Sequence, residues 1–396
     1  MVPNGWEKGV IEDIAKVSSG GTPSRQNDSY WIDGQIPWVT TTEVQFGIIN
    51  DTEQKITEAG LKNSSAKLFP KDTILMAMYG QGKTRGQVAK LGIEASTNQA
   101  CAALLLNDGF EVDYYYQYLV SQYENIRELA NSGGQQNLSA GIIKGIHVPI
   151  PPQLEQRKIA TILSTWDKAI SSTERLIDNS KQQKKALMQQ LLTGNKRLLD
   201  DSGKPFEDKW EEFQLGQLFK ERVETGFNDL PLISITSTGG VISRDDVGRK
   251  DTSNKDKSKY RRICPNDIGY NTMRMWQGVS GLSDLEGIVS PAYTILIPQN
   301  GVSPKFASYL FKLPKLIHIF ERNSQGLVSD TWNLKYPHFA KIKWHFPNYQ
   351  EQDKIASVLI NADQEIKLLE KQLADLKKEK KALMQQLLTG KKRVKI

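Results

Sequence analysis

The sequence predicts an α/β (α+β) fold of two globular domains separated by a pair of long antiparallel coiled-coil helices, an internal tandem duplication with pseudo-twofold symmetry. Three observations predict it. Lys184-Lys185-Ala186-Leu187-Met188-Gln189-Gln190-Leu191-Leu192-Thr193-Gly194 returns letter for letter as Lys380 through Gly390, so the 396 residues are tandem half-copies. Apolar residues ahead of each copy step by four and three. The stretches before those helices alternate short β-rich runs with turns rich in Gly, Asn and Asp.

Residues 1–150 form the first expected domain. Ile36-Pro37-Trp38-Val39 and Thr73-Ile74-Leu75-Met76-Ala77-Met78 read as strands, and a helix is expected near Asp113 to Leu129. The segment 197–346 is the second, with Thr294-Ile295-Leu296-Ile297 as a strand and a helix near Lys305 to Ile319. Identity between these regions is low, although Pro70-x-Asp72 answers to Pro265-x-Asp267 and Asn137-Leu138 to Asn333-Leu334. One scaffold carrying two different readers explains a fixed segment beside a diverged one.

The segments 151–196 and 347–396 hold the long helices. Ile355, Leu359, Ala362, Ile366, Leu369, Leu373, Leu376, Leu383 and Leu387 follow the 3.5-residue period of a coiled-coil seam, interrupted by Lys380. The first copy keeps the register at Ile159, Leu163, Trp166, Ile170, Thr173, Ile177, Ser180, Lys184, Leu187 and Leu191. Thr173 and Ser180 make its middle polar, and Lys184 and Lys380 are expected to snorkel outward or to set register. Both helices follow prolines and stop at a Thr-Gly pair suited to a left-handed cap. A rod from Glu155 to Leu192 is roughly 55 to 60 Å long. Antiparallel pairing across a pseudo-twofold axis places the variable regions at opposite ends, as a ruler does; the competing expectation is that each helix packs on its own domain. Identical exposed pairs, Gln189-Gln190 and Gln385-Gln386, point to a partner that binds twice.

No stretch approaches 18 uncharged apolar residues, and the N-terminus Met1-Val2-Pro3-Asn4-Gly5-Trp6 lacks an apolar signal core, which makes a cytoplasmic protein the expectation. Cys101 and Cys264 occupy different places in the two halves, and with four histidines they form neither a disulfide framework nor a metal-ligand spacing. The formal charge of +7 leans toward a polyanionic partner.

Corresponding loops follow the two Pro-x-Asp strands. The first reads Met78-Tyr79-Gly80-Gln81-Gly82-Lys83-Thr84-Arg85-Gly86 and the second Asn271-Thr272-Met273-Arg274-Met275-Trp276-Gln277-Gly278. Each unites glycine for close backbone approach, an aromatic ring, a Gln suited to adenine and a cation suited to phosphate or guanine. The charged run from Arg244 to Arg262, including Lys250, reads equally as a phosphate-tracking loop or as a solvated surface. Ala77-x-x-x-x-Gly82-Lys83-Thr84 fits a relaxed phosphate-binding loop. Yet Ala77 replaces the first glycine, and a β-like run follows where a helix is required. No amino-methylation tetrapeptide, methyl-donor motif or nuclease cluster is evident; Asp363, Glu365 and Lys367 read as solvent charges on a helix.

Together these segments resemble the specificity (S) subunit of type I restriction-modification enzymes. The likeness rests on Pro151-Pro152-Gln153-Leu154-Glu155-Gln156 leading to the Leu187-to-Gly194 run and its C-terminal repeat. It also rests on Ala77 to Gly86, Thr97-Asn98-Gln99-Ala100-Cys101, Asn271 to Gly278 and Ser290-Pro291-Ala292-Tyr293. The resemblance implies two target recognition domains, each reading half of a split asymmetric DNA sequence, spaced by the helices. It implies a non-catalytic chain. It further implies two modification subunits that bring S-adenosylmethionine and methylate adenine, and restriction subunits that bring ATP and Mg. Candidate DNA contacts are Thr41, Tyr79, Gly80, Gln81, Gly82, Lys83, Thr84, Arg85, Asn98 and Gln99 in the first half. In the second they are Ser237, Lys250, Arg274, Trp276, Gln277 and Tyr293. Leu187, Gln190, Leu191, Leu383, Gln386 and Leu387 become candidates for docking the modification subunits. The alternative is a coiled-coil scaffold that holds protein partners without reading DNA.

Overall fold

Apolar runs buried on both faces form the central strands. In the computed structural model, which describes residues 3–80, 83–129, 137–237, 239–248, 256–328 and 331–396, all four residues of Ile74–Ala77 are buried. Ile74 and Met76 enter one core while Leu75 and Ala77 enter another, the alternation that a pleated strand imposes. The chain divides into two units, Met1–Glu174 with Lys371–Ile396, and Arg175–Glu370.

The first unit has a five-stranded sheet in the order Ala15–Ser19, Cys101–Leu106, Ile74–Ala77, Val88–Leu91, Ile48–Ile49. A four-stranded sheet follows the order Gln54–Ile56, Ile36–Val39, Ala95–Thr97, Leu68–Phe69. In the second unit the four-stranded order is Phe219–Arg222, Tyr293–Pro298, Ile268–Asn271, Ser280–Leu282. Each unit also has a two-stranded ladder at the foot of a long helix: Glu7–Val10 with His147–Ile150, and Glu211–Gln214 with Lys343–Phe346. The single helix expected in each domain is two. Val112–Ser121 and Tyr123–Leu129 break at Gln122. Pro304–Leu310 and Pro314–Asn323 break where Leu313, restricted by the following proline, adopts the extended region.

The long helices are Gln153–Leu191 and Tyr349–Leu387, 39 residues each. They end before glycines with φ of +72° and +68°, and a Cβ on Gly390 would come within 2.4 Å of Pro3 Cγ. Ile159 and Leu163 join Met384, Leu387 and Leu388 in the core of the first unit. Ile355 and Leu359 join Leu191 and Leu192 in that of the second. Of the remaining seam residues, Ile177 and Ile366 are buried, and Trp166, Ile170, Leu369, Leu373 and Leu376 are half-buried.

Each unit repeats one set of polar contacts. In the first, Glu155, 2% exposed, accepts from Trp6 Nε1 (3.3 Å) and from Arg393. Asp167 accepts from Lys380 (2.6 Å) and Gln117 (2.5 Å), and Glu174 pairs with Lys377 (2.7 Å). In the second, Glu351, fully buried, accepts from Trp210 Nε1 (3.2 Å) and from Arg197 at 2.5 and 2.7 Å. Asp363 accepts from Lys184 (2.5 Å) and the Tyr309 hydroxyl (2.7 Å), and Glu370 pairs with Lys181 (2.7 Å). As one helix ascends the other descends, so the pairing within each unit is antiparallel.

Several expectations change here. Lys184 and Lys380 set register through carboxylates, and Asp363 is one of those partners, not a solvent charge. Leu191 and Leu387 lie inside domain cores with half-buried Leu187 and Leu383 packed alongside, while Gln190 and Gln386 remain exposed. Among the described residues no helix is long and apolar enough to cross a membrane.

Removing one partner of a buried ion pair strands the other, so Arg197→Ala should cost about 3 kcal/mol in chemical denaturation; a loss under about 1 kcal/mol would show that Glu351 finds another partner. Hydrogen bonding from Arg393 holds the Glu155 carboxyl below its ordinary value of 4.5 against the opposing effect of burial, with help from Trp6. A lowered folded value contributes stability that is complete above 4.5 and lost as pH falls through the folded value. Thermal unfolding from pH 6 to pH 3 should therefore fall more steeply for the wild type than for Glu155→Gln.

Candidate nucleic-acid interface

In the first unit three loops meet at one end of the sheets. Asn98 N donates to Val39 O (3.1 Å) and Met78 N to Ala100 O (2.8 Å), which brings Thr41, the Asn98-Gln99 turn and Tyr79 together. Asn98 closes its own turn by accepting from Ala100 N (3.1 Å), so its side chain shapes the loop. Gln99 is exposed and receives the Thr22 hydroxyl (2.5 Å). Tyr79 and Lys83 are exposed, Thr84 and Arg85 half-buried; Gln81 and Gly82 lie outside the described residues. Gly80 has φ of +138°, and a Cβ there would meet Thr84 Cβ at 2.8 Å.

Lys83 and Thr84 lead through a turn into the strand Val88–Leu91, with Gly86 N donating to Ala77 O (2.9 Å). The helix whose N-terminus would face a nucleotide's phosphates is replaced by a strand. Burial pushes the Cys101 thiol up to about 12, which removes it as a nucleophile at neutral pH.

The second unit builds its turn differently. Asn271 Oδ1 accepts from Met273 N (3.0 Å), and the 3-10 turn Met275–Gln277 ends at Gly278, φ +75°. Buried Met275 anchors the turn from below. Arg274 and Gln277 are exposed and joined at 3.3 Å. Trp276 is half-buried, donates to Met273 O (3.0 Å) and meets Trp332 edge to face at 5.5 Å. Tyr293 donates its hydroxyl to Ile235 O (3.4 Å), which ties it to the strand preceding exposed Ser237. Lys250 lies outside the described residues.

Two arginines of the charged run are structural. Arg261 pairs with Glu221, and Arg262 with Glu224 and Glu286, each within 3.0 Å; cations already matched to carboxylates are poorly placed to follow phosphates. Asp267 of the second Pro-x-Asp motif is likewise held by Arg222 (2.7 Å).

Some residues near these loops escaped sequence reasoning. Tyr123 donates its hydroxyl to Lys83 O, and its ring carries Arg127 at 5.3 Å. Exposed Arg25 lies 3.7 Å over Trp31 and 4.9 Å from Trp38. Only the spacing Arg25-x5-Trp31 hinted at the latter; nothing local hinted at Tyr123.

These residues build a repeated helical frame with two divergent turns of aromatic, amide and cationic side chains, and known proteins are similar to it. Residues 3–180 match the family model described as type I restriction modification DNA specificity domain. The MjaIX specificity subunit of Methanocaldococcus jannaschii is 30% identical over 247 residues, 57% of this chain and 54% of the relative. The chain thus spans about half the length of that relative, and 41% of the EcoR124I/EcoR124II specificity subunit of Escherichia coli at 27% identity. Against the MjaVIII specificity subunit of M. jannaschii, 25% identity extends over all of this chain and 94% of the relative. The solved S subunit from M. genitalium shares the fold, with a TM-score of 0.59, 17% identity, and coverage of 98% of this chain and 96% of that one. The chain is thus similar to type I restriction-modification specificity subunits, over residues 3–180 by the family model and over its length by relatives and fold.

If Lys83 meets a phosphate, Lys83→Ala should lower the slope of log affinity against log salt by about 0.9. An unchanged slope in a salt titration of DNA binding would remove Lys83 from the interface.

Proposed function

We propose that this chain gives a type I restriction-modification system its DNA sequence specificity. Residues 1–150 and 197–346 act as target recognition domains, each reading one half of a bipartite asymmetric target. Residues 151–196 and 347–396 supply the helices that space them. The observation that carries this reading is the contrast inside each unit: one polar contact set is kept twice, while the turns Tyr79 to Gly86 and Arg274 to Gly278 differ in length and chemistry. Arg274 and Gln277 suit base-edge and phosphate contact, and Trp276 suits packing on sugar or base.

The chain is non-catalytic on this reading and binds no cofactor itself. Two modification subunits dock on the repeated surface that includes Gln190 and Gln386, bringing S-adenosylmethionine; restriction subunits bring ATP and Mg. The complex works in the cytoplasm on double-stranded DNA.

Co-expression with the cognate modification subunit, followed by single-base mapping of adenine methylation, should reveal a split asymmetric motif with one methylated adenine in each half. A stable complex that leaves no new methylation would favour the protein-scaffold reading.

A further inference from the structure

Lys312 sits between the helices Pro304–Leu310 and Pro314–Asn323 and appears in none of the motifs above. Its ammonium donates to two backbone carbonyls, Gly278 O and Ser280 O, each at 2.7 Å. Among the described residues no carboxylate lies within ion-pairing distance of it. Those carbonyls bracket the point where the turn Met275–Gln277 passes into the strand Ser280–Leu282. A Cβ on Gly278 would meet Ile317 Cδ1 at 2.6 Å, so the turn is seated against the following helix as well.

We propose that Lys312 is the positioning residue of the second recognition turn, fixing through Gly278 and Ser280 the direction in which Arg274, Trp276 and Gln277 face DNA. The inference rests on the DNA-specificity reading. Its energetics support it: burial pulls the Lys312 ammonium down to about 8. A cation in a site that disfavours charge costs the fold stability at neutral pH. An apolar side chain there would avoid that cost, but only a long donor reaches both carbonyls. Other charged groups on the packed elements are Arg274, Lys305, Lys315, Arg322 and the mutually paired His318 and Glu321. The first unit holds its turn through a different group, the Tyr123 hydroxyl on Lys83 O.

The test uses the full chain with its modification subunit. Arg274→Ala first identifies the half-site read by the second domain. Lys312→Met should then broaden the bases methylated in that half-site, with discrimination falling about tenfold, while the other half-site keeps its sequence. Hydrogen exchange should quicken in residues 272–280, with thermal unfolding close to wild type. Unchanged discrimination would overturn the proposal, and so would equal loss in both halves with faster exchange throughout, which is the mark of a structural role. Should the variant not fold, Lys312→Gln, which keeps a donor but has a shorter reach, decides: discrimination should weaken in the second half-site alone. A loss shared by both halves, or by neither, would overturn the proposal. If the wild type methylates no split motif, the DNA-specificity reading itself fails, a result distinct from a selective loss in Lys312→Met.

Discussion

Everything else in the structure depends on two buried carboxylates. Glu155 and Glu351 each sit in the first turn of a long helix, where a negative charge is favoured by the helix dipole. Burial would nonetheless expel them if they were unpaired. Each is satisfied by an indole immediately preceding the strand ladder at its foot and by an arginine just beyond the end of a long helix: Trp6 and Arg393 for one, Trp210 and Arg197 for the other. An unpaired buried carboxylate is costly, so the fold loses stability unless the chain closes on these partners. Neither domain can complete its core from its own contiguous segment.

This explains why identity is so uneven. The run from Lys184 to Gly194 enters the core of the second unit, and its copy from Lys380 to Gly390 enters that of the first. Both face the same set of partners, and both end in a left-handed glycine packed beside a tryptophan. Equal environments hold equal residues. The turns at the far ends of the sheets have no such shared environment, and their supports have diverged as well, one carbonyl being held by a phenol and the other two by an ammonium. Exposed Gln190 and Gln386 are repeated without a packing reason inside either unit.

The seam was legible in the sequence because its period is local: Ile159, Leu163, Ile355 and Leu359 follow the 3.5-residue step and are buried as expected. The strands Ile36–Val39 and Ile74–Ala77 were legible for the same reason. Other features were not local. Leu191 and Leu387 satisfy a surface pattern and a core pattern equally well, and only the antiparallel partner decides between them. Asp363 read as a solvent charge because Lys184 and Tyr309 are distant in sequence. The breaks at Gln122 and Leu313 were hidden by continuous apolar periodicity, although Pro314 was a signal for the second. Site residues were found where composition was unusual, as in Arg274 to Gly278, and missed where a single long-range hydrogen bond did the positioning, as at Tyr123 and Lys312.

The polar groups within the seam carry one further consequence. Lys184 and Lys380 interrupt an apolar series, and Leu at both positions would strengthen a two-helix contact by burying more apolar surface. What lysine supplies is specification. Lys184 reaches Asp363 and Lys380 reaches Asp167, while Lys181 and Lys377 reach Glu370 and Glu174 on the flanks. A slip by one heptad would leave leucines facing leucines almost unchanged, because apolar contacts are non-directional, but it would strand partly buried ammonium groups away from their carboxylates. A single polar position within an apolar seam fixes register in this way at some expense of stability. Here the device occurs once in each unit with the roles of the helices exchanged, so the register of the pairing is specified separately within each unit.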